Sequence, residues 1–164
     1  MHARAIGAVD RAPVRLDDHA GLAQQLLDHG RGLTPGTKTV INCSAYTNVD
    51  GCARDPDLAY RVNGLGTKYV ALACRRLGAP LVYISTNEVF DGEKGDPYGE
   101  DDDPNPINEY GRSKLAAEQA LAPLGTNDFA VALLRVPILV TSDPGMATDK
   151  LATLLRAIQR AGVV

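Results

Sequence analysis

The 164-residue chain has no excess of basic charge, no long apolar run and no paired cysteine motif, and each absence removes a class of function. Seventeen Lys and Arg against twenty Asp and Glu leave a net charge of −3, the opposite of the positive footprint selected by nucleic acid or an anionic membrane surface. No nucleic-acid partner is expected. The apolar runs are only a few residues long, against the roughly 20 that a bilayer-spanning helix needs. The N-terminal stretch MHARAIGAVDRAPVRLDD lacks the apolar core of a signal peptide, so no membrane partner is expected and the sequence reads as cytoplasmic. Cys43, Cys52 and Cys74 form no CxxC pair, and His2, His19 and His29 all precede them, which indicates neither a disulfide framework nor a zinc site. There is no GxSxG elbow and no histidine after His29, which disfavours a Ser/His/Asp hydrolase. The glycine loop that cradles a dinucleotide pyrophosphate is also missing. Gly30, Gly32 and Gly36 have a superficially similar spacing, but the segment contains Pro35 and runs from a helix into a strand, so it reads as a connection.

What is present is a soluble composition, 45% hydrophobic and 23% charged, suited to one compact domain with a sizeable core. Ala20, Leu22, Ala23, Leu26 and Leu27 recur at helical spacing after Asp17 and Asp18 and before Gly30. TVINCSA, residues 39–45, is a short β-branched run that reads as a buried strand. Asp55-Pro56 then opens a long helical stripe running to Gly78. PLVYIS, residues 80–85, predicts a second strand, and a Gly/Pro/Asp-rich loop follows to about residue 107; loops of that length are often functional. Asn108 caps a predicted helix to about residue 121, FAVALLRV at 129–136 predicts a third strand, and residues 148–161 predict a terminal helix. Strands that are apolar throughout and alternate with helices imply parallel pairing with helices over both faces, an α/β doubly wound sheet.

In such a sheet ligands bind beyond the carboxyl ends of the strands, which directs attention to SAYTNVD after the first strand and TNEVFDG after the second. The sharpest constellation is Tyr110-Gly-Arg-Ser-Lys114 at the start of a predicted helix. Residues four apart share a helix face, so an ammonium beside the phenol is expected to lower its pKa and fit Tyr110 for general acid or base work. Thr86, at the mouth of the preceding strand, is placed to bond the same substrate oxygen. Six Tyr and five Lys in the chain give roughly 0.2 chance matches to this spacing, so the motif alone is weak, and a surface tyrosine packed over a lysine stem is its bland alternative. Gly64 and Gly66 lie within the helical stripe and are read as close helix-to-sheet packing. The acidic run 100–103 is read as a solvated loop.

The stretch VINCSAYTNVDGCARDPDLAYRVNGLGTKYVALACRRLGAPLVYISTNEVFDGEKGDPYGEDDDPNPINEYGRSKLAAEQAL, residues 40–121, closely resembles the dTDP-4-dehydrorhamnose reductases of the extended short-chain dehydrogenase/reductase superfamily. The resemblance implies a Rossmann-like fold and reduction of the 4-keto group of a dTDP-linked deoxyhexose by NADPH or NADH, in dTDP-L-rhamnose synthesis. It implies catalytic roles for Thr86, Tyr110 and Lys114: Tyr110 protonates the 4-oxygen, Lys114 holds the nicotinamide ribose and Thr86 orients the carbonyl. Ala45, Tyr46 and Thr47 match the loop lining the cofactor, and Asn87 a position beside the nucleotide-sugar substrate. A homodimer is compatible with the resemblance. Against the family, the chain is expected to be a single partial NAD(P)-binding domain, residues 1–164, lacking the first strand, its glycine loop and most of a C-terminal substrate domain. Two departures stand out. STNEVF replaces the family's frequent STDYVF, putting Glu88 in place of an aromatic residue near the sugar, and Arg135-Val-Pro-Ile138 replaces RTSW. The second form is similar to the regulatory β subunit of methionine adenosyltransferase, which gives a non-catalytic NADP-binding alternative; a nucleotide-sugar epimerase or dehydratase is a further one.

Overall fold

A computed structural model of the chain describes residues 39–136; the predicted helices near residues 20–27 and 148–161 lie outside them. Three strands, β1 (Val40–Asn42), β2 (Leu81–Thr86) and β3 (Val131–Val136), form a wholly parallel sheet in the order β1-β2-β3. Val40 stands opposite Leu81 and Asn42 opposite Tyr83, and Leu81 to Thr86 of β2 register with Val131 to Val136 of β3. β2 is the middle strand and reads Leu-Val-Tyr-Ile-Ser-Thr, with every residue but Ile84 buried. A strand covered on both faces has no polar alternation to show. β1 is shorter than the sequence run 39–45, because Asn42 Oδ1 accepts from both the Ser44 N–H and the Ser44 hydroxyl, turning the chain out of the sheet.

Helix starts follow their caps. In α1 (Val49–Arg54), which the sequence reading missed, the Asn48 side chain accepts from the Gly51 N–H at 2.7 Å. In α2 (Pro56–Ala59), Asp55 accepts from the Leu58 N–H at 2.9 Å and Pro56 takes the first turn, where its missing donor costs nothing. The predicted uninterrupted helix from Pro56 to Gly78 is corrected here. The chain widens into a π-helical segment, Tyr60–Gly66, before resuming as α3 (Thr67–Leu77). α3 ends at Gly78, whose left-handed φ of 65° suits a residue without Cβ. α4 (Glu109–Leu121) begins as expected on Asn108, which accepts from the Gly111 N–H at 2.7 Å.

The core lies between α3, α4 and one face of the sheet. Val70, Ala71 and Cys74 of α3 meet Ala117 and Leu121 of α4 over Leu81 and Tyr83, two alternate residues of β2, with Phe129 closing one side. Burying each large apolar side chain contributes about 1.5–3 kcal/mol, enough to fix α4 against β2 and so place the residues of its first turns. A Cβ on Gly64 would lie 3.2 Å from the Tyr60 ring and 3.5 Å from the Ala116 methyl. The glycine therefore permits close approach of the π segment to α4, not the helix-to-sheet contact expected from sequence. Among the described residues no helix is long and apolar enough to cross a membrane.

Candidate active site

A cleft of about 420 Å³ opens at the carboxyl ends of the strands, lined by Cys43, Ala45 and Thr47 after β1, by Ile84, Ser85, Thr86 and Glu88 at the end of β2, and by Tyr110 and Lys114 of α4. Three segments far apart in sequence meet there because parallel strands all deliver their following loops to the same edge.

Lys114 is 2% exposed, and burial of a cation demands compensation. Its ammonium donates to the Ile84 carbonyl at 2.6 Å and lies 4.3 Å from the centre of the Tyr83 ring. Burial pulls its pKa down to about 8, against the opposing pull of the Glu118 carboxylate and Cys43. One of its three N–H groups is thus committed, and an ammonium has no acceptor to satisfy, so the remaining donors suit the hydroxyls of a ribose entering the cleft. That donor set, beside Ala45 and Thr47, fits the ribose end of the nicotinamide nucleotide implied by the resemblance.

Tyr110 departs from the expectation that Lys114 lowers its phenol. Its pKa is raised, first by burial and then by the Glu88 carboxylate, while a side-chain hydrogen bond with Thr86 opposes the rise. The ammonium is directed instead to the Ile84 carbonyl. Thr86, 3% exposed, accepts the Glu88 N–H at 3.2 Å through Oγ1, and its own hydroxyl proton faces the Tyr110 phenol oxygen, the hydrogen bond that opposes the rise of the phenol's pKa. Glu88 Oε2 in turn accepts from Asn108 Nδ2 at 2.7 Å.

A buried polar clamp fixes the far wall. Asn63, fully buried in the π segment, grips the Tyr46 backbone on both sides: Oδ1 accepts from its N–H at 2.7 Å and Nδ2 donates to its carbonyl at 3.0 Å. Nδ2 also donates to Ser113 Oγ at 2.8 Å, and the Ser113 hydroxyl donates to the Tyr110 carbonyl at 2.7 Å. The loop after β1 and the first turn of α4 are therefore joined through one amide. Behind them, Glu118 accepts from Ser85 and pairs with Arg135 of β3 at 2.8 Å.

Of the residues singled out from sequence, Thr86, Tyr110, Lys114, Ala45 and Thr47 line this one cleft. Tyr46 and Asn87 do not: the Tyr46 ring packs over Gly51 of α1, where a Cβ would clash with it, and Asn87 is exposed. Pro137 and Ile138 lie outside the described residues. Asn63 and Ser113 were not anticipated, and Asn108 was expected only as a helix cap. The one signal for Asn63 was an amide set between apolar neighbours in a helical stripe.

The family model described as the RmlD substrate binding domain matches residues 2–164. The chain is 50% identical over 82 residues to the probable low-salt glycan biosynthesis reductase Agl14 of Haloferax volcanii, a match covering 50% of this chain and 27% of that protein. It is 44% identical over 103 residues to a dTDP-4-dehydrorhamnose reductase of Mycobacterium tuberculosis H37Rv, covering 60% of this chain and 32% of the relative. The crystal structure of dTDP-4-dehydrorhamnose reductase from Bacillus anthracis in complex with NADP superposes with a TM-score of 0.61 at 36% identity, covering 73% of this chain and 40% of that one. The matched stretch is thus less than half the length of each of these three proteins.

Proposed function

The chain belongs to the family described by the RmlD substrate binding domain, and from that membership we propose that it serves an NADPH-dependent reductase of the 4-keto group of a dTDP-linked deoxyhexose. The observation that supports this most is the meeting of Thr86, Tyr110 and Lys114 in one cleft at the strand ends, beside a loop tethered by Asn63. When bound, a reduced nicotinamide supplies the hydride. Lys114 holds its ribose with the N–H groups not given to Ile84. The Thr86 hydroxyl, whose oxygen accepts from the Glu88 N–H, turns its proton from the Tyr110 phenol to the ketone oxygen and aims it at Tyr110. The raised phenol keeps its proton at neutral pH and releases it as negative charge develops on that oxygen. NADPH is preferred to NADH in this reading because the Bacillus anthracis relative was solved with NADP. This chain supplies an NAD(P)-binding Rossmann-like unit, and a cytoplasmic setting without nucleic-acid or membrane partners, with a second copy of the chain as the candidate partner for assembly, completes the reading. The regulatory-subunit alternative gains no support from the relatives named above.

The test is Tyr110→Phe in the full-length protein. Ketone reduction is expected to fall by about 100-fold or more with NADPH affinity retained. Unchanged turnover would remove Tyr110 from the chemistry.

A further inference from the structure

Among the described residues the cleft is lined by one acidic side chain, Glu88, held in place at three points. Its N–H donates to Thr86 Oγ1 at 3.2 Å. Its carbonyl lies against α4 at Gly111, where an added Cβ would stand 2.2 Å from the Glu88 oxygen, so only glycine permits this approach. Its Oε2 accepts from Asn108 Nδ2 at 2.7 Å, and Asn108 is itself pinned, because its Oδ1 caps α4 through the Gly111 N–H. A charged side chain on an open loop would lose rotamer freedom on meeting a ligand; this one has lost it already.

An ionised carboxylate offers about four lone-pair sites. Among the described residues only Asn108 takes one from a side chain, and Oε1 has no hydrogen-bond donor. The group lines the same cleft as Tyr110 and Thr86, whose hydroxyls share one hydrogen bond and can both turn to a ketone oxygen entering between them. The wall therefore presents two donors and, next to them, an acceptor that cannot donate. A ketone accepts only, and a hydroxyl on the adjacent carbon is the commonest sugar group that completes the pattern by donating.

We propose that Glu88 is a specificity-determining residue whose carboxylate accepts a hydrogen bond from the hydroxyl on the carbon next to the ketone, so that the site selects α-hydroxyketo sugars over their deoxy analogues. The assignment rests on the reductase reading and adds to it the part of the substrate that is read. An analogue lacking the hydroxyl strips water from the carboxylate and returns nothing, and such unpaired polar groups are where binding sites discriminate most strongly.

The experiment compares kcat/KM of the full-length protein, with NADPH, for dTDP-4-dehydro-6-deoxyhexose and for its 3-deoxy counterpart. The unaltered protein is expected to favour the hydroxylated sugar by about 10- to 150-fold, the span of one hydrogen bond to a charged group. Glu88→Ala is expected to bring that ratio to within about threefold of unity. Glu88→Gln, which keeps an oxygen for Asn108 and so preserves the loop, is expected to fall between, with NADPH affinity unchanged. A ratio near unity in the unaltered protein, or variants that slow both sugars equally and leave the ratio where it was, would overturn the assignment while leaving the reductase standing. Failure of the unaltered protein to reduce either sugar would overturn the reductase reading and this assignment with it.

Discussion

Lys114 shows how far a spacing can be read. The four-residue interval to Tyr110 placed both residues on one face of α4, and both line one cleft. The direction of the ammonium was not in the interval, because it is set by the Ile84 carbonyl and the Tyr83 ring, thirty residues upstream. The consequence is a measurable pH dependence. The pKa of Lys114 drops from an ordinary 10.5 to about 8 on folding. Between those values the unfolded chain binds the proton and the folded chain does not, so stability rises with pH across that window. Below about pH 8 both states are protonated and the cost of burying the cation is fully present. Cys74, whose thiol burial pushes up to about 11, works in the opposite direction over an overlapping range, so the two are separated by difference. Lys114→Met is expected to raise Tm relative to the unaltered protein at pH 7, and that advantage is expected to shrink steadily towards pH 10. An advantage independent of pH would show that the cation is not buried at a cost.

At the scale of elements, packing of α4 on the end of β2 decides the geometry of the cleft. Gly111 is the contact point, with the Glu88 carbonyl where its Cβ would be. Because the obstructing atom is backbone, Gly111→Ala is expected to cost about 1–3 kcal/mol, read as a lower urea midpoint with the slope m unchanged, and to weaken the Asn108 cap on the same turn. A variant as stable as the original would mean that the loop after β2 yields freely. The elements themselves were largely legible in the sequence: caps at Asp55 and Asn108, a glycine after α3, and apolar runs for all three strands. What was not legible was the π segment. Its extra residue per turn leaves the apolar stripe of Val62, Leu65 and Tyr69 readable as ordinary helix, and its effect, turning Asn63 onto the Tyr46 backbone, is tertiary. α1 escaped for a different reason. It is six residues long with Gly51 inside it, and that glycine is present because the Tyr46 ring lies over it, a contact no local pattern announces.

At the scale of the molecule, the parallel order β1-β2-β3 explains why residues 45–47, 84–88 and 110–114 converge without any of them being near in sequence. The candidate site was legible where chemistry is local, as with the hydroxyl, phenol and ammonium of Thr86, Tyr110 and Lys114. It was illegible where position depends on a neighbour, as with Glu88, which appeared from sequence only as a departure from a familiar string. The proposed reaction differs from those of epimerases and dehydratases on the same scaffold in one respect that can be counted: it consumes reduced cofactor and leaves its hydride on the sugar. The most direct measurement supplies the full-length protein with dTDP-4-dehydro-6-deoxyhexose and NADPH deuterated at the transferable position of the nicotinamide, and follows the label by NMR. The expected result is one NADPH oxidised per sugar reduced, with deuterium on C4 of the product. Conversion of the sugar with no net NADPH oxidation and no deuterium at C4 would contradict the account.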